Sequence, residues 1–401
     1  MEKRMKIGIV SAHYMPEVGY QEVHLAKAYS RMGHTVKVFS SDAAVKLGGE
    51  VSRLKYKAGL SKDEKYGFDI LRLPALSFKS KAISFKLQKE VLAFKPDLLI
   101  ILGVAKVFPR TILNEKVHAA SKMVSFYGDA YEYLEWKTLK QKIKSSIHQL
   151  GFVTLKKGLY RRAVRHCDRI VMNYPETETI ISDMLNQKEK KLLQDKKLML
   201  HLGYDNEEYF YDSSLRKKIR EKLDIKEDEV VLITSTRINP RKELEQIISY
   251  VSDINRPGKK MKYILVGFLG DAYEKKLKSF IQAQPDPSIF ICFPFLGTEE
   301  KRELYNAADM AIWQKVSISV QEALGTGLPV LLENKVSQSH LVKDEHNGWY
   351  YDPDKLKETL EKAVQQIAQK KSSSREVLAK ENAARYSYDT IASHILKTVL
   401  N

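Results

Sequence analysis

The sequence predicts an α/β protein of two units, each built on a parallel sheet. Three observations lead there. Short apolar runs of strand length alternate with segments of helical spacing. Many of these runs are apolar on both faces, as central strands covered by helices on both sides are. The alternation then begins afresh near residue 230, and a chain of 401 residues is comfortable for two cores.

The opening reads strand, loop, helix, strand. Ile7 to Val10 is a first strand, Ser11 to Tyr20 a loop with Pro16 and Gly19, and Leu25, Ala26, Tyr29 and Met32 share one helical face that Gly33 ends. Val36 to Phe39 follows as a strand. Further strands are expected at Leu98 to Leu102, Lys122 to Phe126, Arg169 to Met172 and Met199 to Leu202. The second set comprises Val230 to Thr234, Tyr263 to Val266, Phe290 to Phe293, Met310 to Trp313, Val330 to Leu332 and Trp349 to Tyr351. A hinge is expected between about Gly203 and Ile225, and a helical tail from Leu356, with Leu360, Val364 and Ile367 in phase.

Composition narrows the partners. The 67 Lys and Arg against 50 Asp and Glu give a formal charge of +17, which favours anionic partners. Nothing resembles a zinc finger, an RNP-like aromatic motif or a helix-turn-helix, so nucleic acid is not expected. No stretch reaches the roughly 18 unbroken apolar residues of a membrane-spanning helix. The short apolar run after Met1 reads as a strand rather than a signal peptide, and Cys167 and Cys292 form neither a metal-site spacing nor a disulfide framework. These readings place the chain in the cytoplasm.

Open parallel sheets bind ligands at the carboxyl ends of their strands. Arg237 and Lys242 flank the loop after Val230 to Thr234 and suit one shared anion; the plainer reading is two solvated cations of a basic protein. After Trp313 a polar loop with Ser317, Ile318 and Ser319 leads into a short helix that carries Glu322 and stops at Gly325-Thr326-Gly327. Backbone N–H groups at Ser317 to Ser319 suit a phosphate or sugar, and Glu322 suits a pair of vicinal hydroxyls, against the alternative of an ordinary surface glutamate. The nearby glycines favour the first reading, because small residues permit close backbone approach.

In order and spacing these residues resemble the retaining glycosyltransferases of the GT-B fold, family 4: two Rossmann-like domains with parallel sheets facing a central cleft. Arg237 and Lys242 match that family's basic pair, and Glu322 the second of its two glutamates before a Gly-x-Pro-Val stop; Gln314 stands where the first is usual. Leu202-Gly203-Tyr204-Asp205 is similar to its interdomain turn, and His346-Asn347-Gly348 to a later Asn-Gly turn. Tyr14-x-Pro16, Gly19-Tyr20-Gln21-Glu22 and Gly33-His34-x-Val36 resemble its opening, and Asp129 falls near a histidine common among relatives.

The resemblance implies an N-terminal acceptor-side domain over residues 1–204, a C-terminal nucleotide-sugar domain over 205–384, and a final helix from about 385 to 401 that packs back on the first. It implies a UDP- or GDP-linked sugar as substrate, no cofactor and no metal. Arg237, Lys242 and Asp129 would act in catalysis. Gly19, Tyr20, Gln314, Ser317, Ile318, Ser319 and Glu322 would bind the donor. The acceptor would be a glycan or lipid-linked sugar of a bacterial capsule or lipopolysaccharide. Two alternatives share the fold: a non-catalytic relative that binds a glycan or partner, and a sugar-nucleotide 2-epimerase.

One stretch adds a partner. Between Trp136 and Cys167 there is no acidic residue, and nine residues are Lys or Arg. Leu139, Ile143, Ile147 and Leu150 recur at helical spacing, so 137–165 reads as a basic amphipathic element suited to an anionic membrane surface. The alternative is a solvated helix face packed on its own domain. The membrane reading makes the chain peripheral on the inner face of the cell membrane.

Overall fold

The computed structural model describes residues 4–17, 19–43, 56–78, 81–128, 156–255, 260–315, 317–343, 345–369 and 374–400. They form two compact units, Met1–His201 with Ile391–Asn401, and Leu202–Thr390. The sequence reading sets the joints at 204 and about 385, and the units divide instead after His201 and Thr390.

The N-terminal unit runs β1 (Lys6–Val10), α1 (Gln21–Arg31), β2 (Thr35–Ser41), β3 (Gly59–Lys62), β4 (Asp69–Leu73), β5 (Leu76–Phe78), β6 (Lys81–Ile83), α2 (Leu87–Phe94), β7 (Leu98–Ile101), α3 (Glu115–His118), β8 (Lys122–Tyr127), a helix α4 over 156–166, β9 (Arg169–Met172), α5 (Thr177–Ser182), α6 (Gln187–Lys196) and β10 (Lys197–Met199). Its sheet has the order β10-β9-β8-β7-β1-β2-β4-β3, parallel throughout except for the antiparallel edge strand β3. Strand order therefore reverses between β1 and β7. Helix α1 ends in a Schellman turn: His34 N–H bonds the Tyr29 carbonyl, Gly33 N–H bonds Ser30, and Gly33 takes the left-handed φ of 83° that the turn requires.

The C-terminal unit runs α7 (Ser213–Lys222), β11 (Val230–Ser235), α8 (Leu244–Ile254), β12 (Met261–Phe268), α9 (Ala272–Gln282), β13 (Phe290–Pro294), α10 (Thr298–Ala307), β14 (Met310–Trp313), α11 (Ser319–Gly325), β15 (Val330–Glu333), β16 (Gly348–Tyr351), α12 (Leu356–Gln369), α13 (Ser374–Tyr386) and the start of α14 (Tyr388–Leu400). Its parallel sheet has the order β13-β12-β11-β14-β15-β16. Renumbered from β11 this is 3-2-1-4-5-6, the dinucleotide-fold order, with its switch point between β11 and β14. Strands β11 and β14 are wholly buried, because helices cover both faces.

One device recurs at the amino ends of the strands. Asp97, Asp168 and Asp309 each directly precede a strand, and each carboxylate accepts the first free N–H of the neighbouring strand: Lys6 at 2.7 Å, Met123 at 2.8 Å and Val231 at 2.8 Å. Sheet ends leave such N–H groups without a ladder partner, and the aspartates supply one. Burial works against the Asp168 charge, but the Met123 N–H and Lys122 hold its carboxyl below the usual range.

The segment 203–225, expected as a hinge, belongs to the C-terminal unit. Tyr204 bridges to the α13–α14 junction through Tyr204 N–H to Tyr386 O at 3.0 Å and Tyr388 N–H to Tyr204 O at 2.9 Å. Helix α7 is fastened by Arg216 and Arg220, which reach Asp309 at 2.5 and 3.1 Å and the last carbonyls of α10. Arg375 binds the same helix end through the carbonyls of Tyr305, Asn306 and Ala308; burial pulls its guanidinium down to about 9. Cations at a helix C-terminus complement its dipole.

Strands β3 to β6 have no counterpart in the sequence reading. β3 is exposed at every residue, so no apolar alternation marks it. The strand expected at Met199 to Leu202 lies instead at Lys197–Met199, an edge strand held by backbone pairing to β9. Apolarity at 199–202 was the wrong signal for it.

Candidate active site

The switch point of the C-terminal unit is braced by side chains. Thr234 Oγ1 donates to the Ile312 carbonyl at 2.6 Å, and Trp313 Nε1 donates to the Ser235 carbonyl at 3.0 Å. These bonds tie the carboxyl ends of β11 and β14 where the two loops depart. Both loops carry residues singled out from the sequence.

The first loop, after β11, is shaped by an asparagine and a glycine. Asn239 donates from Nδ2 to the Arg237 carbonyl at 2.9 Å and accepts from Arg241 N–H at 3.0 Å, setting up the tight 3-10 turn Pro240–Lys242. Gly267, at φ 123°, passes so close that a Cβ there would overlap the Thr236 carbonyl. Arg237 is exposed and Lys242 half-buried. Glu243 takes a left-handed φ of 52° and starts α8. Gly267 and Asn239 were not assigned roles from sequence; a glycine ending a strand was the available signal for the first.

The second loop, after β14, begins at Gln314, which is buried. Two backbone carbonyls can only accept, so its NH2 faces them: it donates to Lys242 O at 3.1 Å and Glu243 O at 2.7 Å. Its amide also meets that of Gln246 at 2.5 Å. The side chain expected to line the sugar is thus bound to the Lys242 turn. Ser317 and Ser319 share a hydroxyl contact at 3.1 Å, and Ile318 precedes α11 as its N-cap.

Glu322 is buried rather than a surface glutamate. Lys301 of α10 contacts both its oxygens at 2.9 Å, and Tyr305 Oη lies 3.5 Å from one of them. Burial first, and then the charge of Glu322, push the phenols of Tyr209 and Tyr305 well above their ordinary value. An ionised carboxylate has about four acceptor positions, so this setting orients Glu322 without exhausting it. Lys301 and both tyrosines were invisible from sequence, because they come from other elements.

The glycines beside Glu322 have a different cause from the one expected. A Cβ on Gly325 would overlap the Tyr204 ring, and one on Gly327 the Arg375 carbonyl. They make room for packing inside the unit, so they are no argument for a ligand.

In the N-terminal unit, Gly19 takes a φ of 67° and its carbonyl lies 2.8 Å from His24 Nε2; Tyr20, partly exposed, is the N-cap of α1. Glu22, the second residue of that helix, is buried and accepts from Ser11 Oγ at 3.2 Å. Burial raises its carboxyl despite hydrogen bonds and Lys106 acting the other way. Asp129 lies outside the described residues, as does 137–155 of the basic stretch. The remainder, α4, buries Leu159, Tyr160, Ala163 and Val164 in the core, while Arg161 and Arg165 both bind the buried Glu189 at 2.8 and 2.5 Å. Lys157 and Arg162 remain exposed. Cys167 and Cys292 are free thiols. Among the described residues, no helix is long and apolar enough to cross a membrane.

Residues 216–385, which contain both loops, match the family model described as glycosyl transferases group 1. This matched segment lies within the C-terminal unit and carries the loops after β11 and β14. Among curated proteins, the chain is 22% identical over 364 residues to an alpha-monoglucosyldiacylglycerol synthase of Streptococcus pneumoniae, with 86% of this chain and 75% of that protein covered. Among solved structures it is similar to HepE of Anabaena in complex with UDP-glucose, at 17% identity and a TM-score of 0.67 over 99% and 100% of the two chains. It is also similar to a sucrose-phosphate synthase of Thermosynechococcus elongatus, at 14% identity and a TM-score of 0.68 over 98% of each. The fold class is GT-B, as the sequence resemblance implied.

Proposed function

We propose that this chain is a group 1 glycosyltransferase, a retaining, metal-independent hexosyltransferase that takes a UDP- or GDP-linked sugar as donor. UDP-glucose is the first donor to test. The acceptor is a lipid-linked sugar or glycan presented at the inner face of the cell membrane, for a surface glycolipid or polysaccharide of the capsule or lipopolysaccharide kind. The observation that carries the reading is the pair of loops at the β11–β14 switch point, one bearing Arg237 and Lys242, the other leading to the oriented, buried Glu322.

The chemistry is the expulsion of a nucleoside diphosphate from an anomeric carbon. The C1–O bond to phosphate breaks, and the acceptor oxygen bonds to C1 on the same face. The acceptor proton passes to the departing phosphate. Negative charge grows on that phosphate, and cations already in place stabilise the transition state more than the ground state. Arg237 and Lys242 fill this role, and Glu322 accepts from the ribose hydroxyls. The names of the relatives support both substrate classes, since one makes a glycolipid and another was solved with the donor UDP-glucose. The exposed Lys157 and Arg162 continue the basic stretch toward an anionic surface.

The test combines the purified chain with UDP-glucose, UDP-galactose or GDP-mannose and vesicles holding diacylglycerol or its glucosyl derivative. NMR of the product is expected to show the donor's anomeric configuration retained, with no loss of rate in chelator. An inverted linkage would refute retention. An altered free sugar would indicate an epimerase, and nucleotide binding without turnover a non-catalytic relative. Flotation with anionic and neutral vesicles reads the membrane partner; equal recovery on both would defeat it.

A further inference from the structure

We infer that Gln314 is a positioning residue that fixes the turn carrying Lys242, and that this turn requires a glutamine rather than a glutamate at that place. The inference rests on the reading of Lys242 as a ligand of the donor diphosphate. Gln314 leaves β14 at the switch point, is 5% exposed, and spends both amide hydrogens on the carbonyl oxygens of Lys242 and Glu243, at 3.1 and 2.7 Å. The two residues it grips are consecutive and unlike in conformation. Lys242 closes a 3-10 turn, and Glu243 sits at a left-handed φ of 52°, uncommon for a residue with a side chain. A backbone so placed persists only where its surroundings hold it.

An ionised glutamate is an acceptor only. At position 314 it would face two carbonyl oxygens with no proton to offer, and the turn would move away. Where the family pattern has a glutamate, this chain has the one side chain of equal length that can donate twice. The departure is therefore matched to the local backbone and gives the position a task other than contacting the sugar. With the amide so placed, the Gln314 oxygen faces the neighbouring Gln246 amide at 2.5 Å.

The experiment compares wild type with Gln314→Glu, Gln314→Leu, Gln246→Ala and Lys242→Ala in the vesicle assay with UDP-glucose. It also follows hydrogen exchange at the backbone amides of residues 239–246. Gln314→Glu is expected to lose kcat by roughly 100-fold at neutral pH with a smaller change in donor KM, since a small misplacement of a catalytic group costs about that much. Relative to wild type the loss should shrink as pH falls, because a protonated carboxyl regains one donated bond. Gln314→Leu should lose as much with no recovery at low pH. Combining Gln314→Glu with Lys242→Ala should cost little beyond Lys242→Ala alone, as expected for residues acting through one another. Wild-type kcat in Gln314→Glu, or losses that multiply in the double variant, would overturn the inference.

Hydrogen exchange separates this inference from the functional reading. If wild type transfers no sugar, the functional reading fails. Faster exchange over 239–246 in Gln314→Leu still supports the fixed turn, and unchanged exchange refutes it. Should both Gln314 variants fail to fold, Gln246→Ala decides, because its side chain is exposed. Faster exchange there supports the inference, and unchanged exchange overturns it.

Discussion

At the break in strand order of the N-terminal unit, the loop after β1 leads to a buried carboxyl, Glu22, that accepts from Ser11 and feels Lys106 from the loop after β7. At the corresponding break in the C-terminal unit, the loop after β11 presents Arg237 and Lys242, and the loop after β14 leads to Glu322 paired with Lys301. Strand order around the two breaks is the same and the chemistry is not. One site keeps a carboxyl out of water with few charged partners. The other places cations at the rim and pairs its buried carboxylate with a cation. The comparison teaches that topology provides a place for a ligand, while the loop residues decide which ligand it suits.

The largest effect that would sharpen this contrast concerns Lys242. Lys242→Ala is expected to lower kcat by roughly 100-fold or more, the order seen when one stabilising donor is removed from a transition state, with KM much less affected. Steady-state transfer kinetics check it. Glu322→Ala should act differently, raising donor KM about tenfold with a smaller fall in kcat, because ribose contacts are alike in ground and transition states. An equal kcat loss in both variants would break the division of labour.

The aspartates at the strand starts give the next comparison. Asp309 pairs with Arg216 and Arg220 as well as holding Val231 N–H, so Asp309→Ala should cost about 3 kcal/mol, as for removal of one partner from a largely buried ion pair. Asp97 is exposed and holds the Lys6 N–H, so Asp97→Ala should cost about 1 kcal/mol. Denaturant unfolding of both variants tests the ratio.

The smallest expected effect is at Glu22. Its folded carboxyl holds a proton to higher pH than an unfolded glutamate, so the native state binds more protons between the two values. Stability should then fall as pH rises from the ordinary glutamate range through the raised value. The substitution Glu22→Gln should flatten that fall and raise the melting temperature at neutral pH. A steeper fall in the variant would contradict the burial argument.

Much of the fold was legible because buried parallel strands are continuous apolar runs. β7, β11 and β14 announce themselves this way, as does the face of α12 through Leu356, Leu360 and Val364. The edge strands β3 and β10 did not, since backbone pairing rather than apolar burial holds them. In the site, Arg237, Lys242 and Glu322 could be singled out by their place after strands. What could not be read was the direction of a side chain. Gln314 turns back onto the Lys242 turn, and Lys301 reaches Glu322 from a different helix. Gly325 and Gly327 invited a ligand argument, yet Tyr204 and Arg375 explain them. Sequence spacing shows where a residue stands in a loop and not which neighbour it meets.

The most direct measurement is a crystal structure of the chain with UDP. The diphosphate is expected within hydrogen-bonding reach of the Arg237 and Lys242 side chains, and the ribose hydroxyls on Glu322, which keeps its contact with Lys301. A diphosphate bound away from the loops after β11 and β14, with Glu322 contacting no ribose hydroxyl, would contradict that expectation.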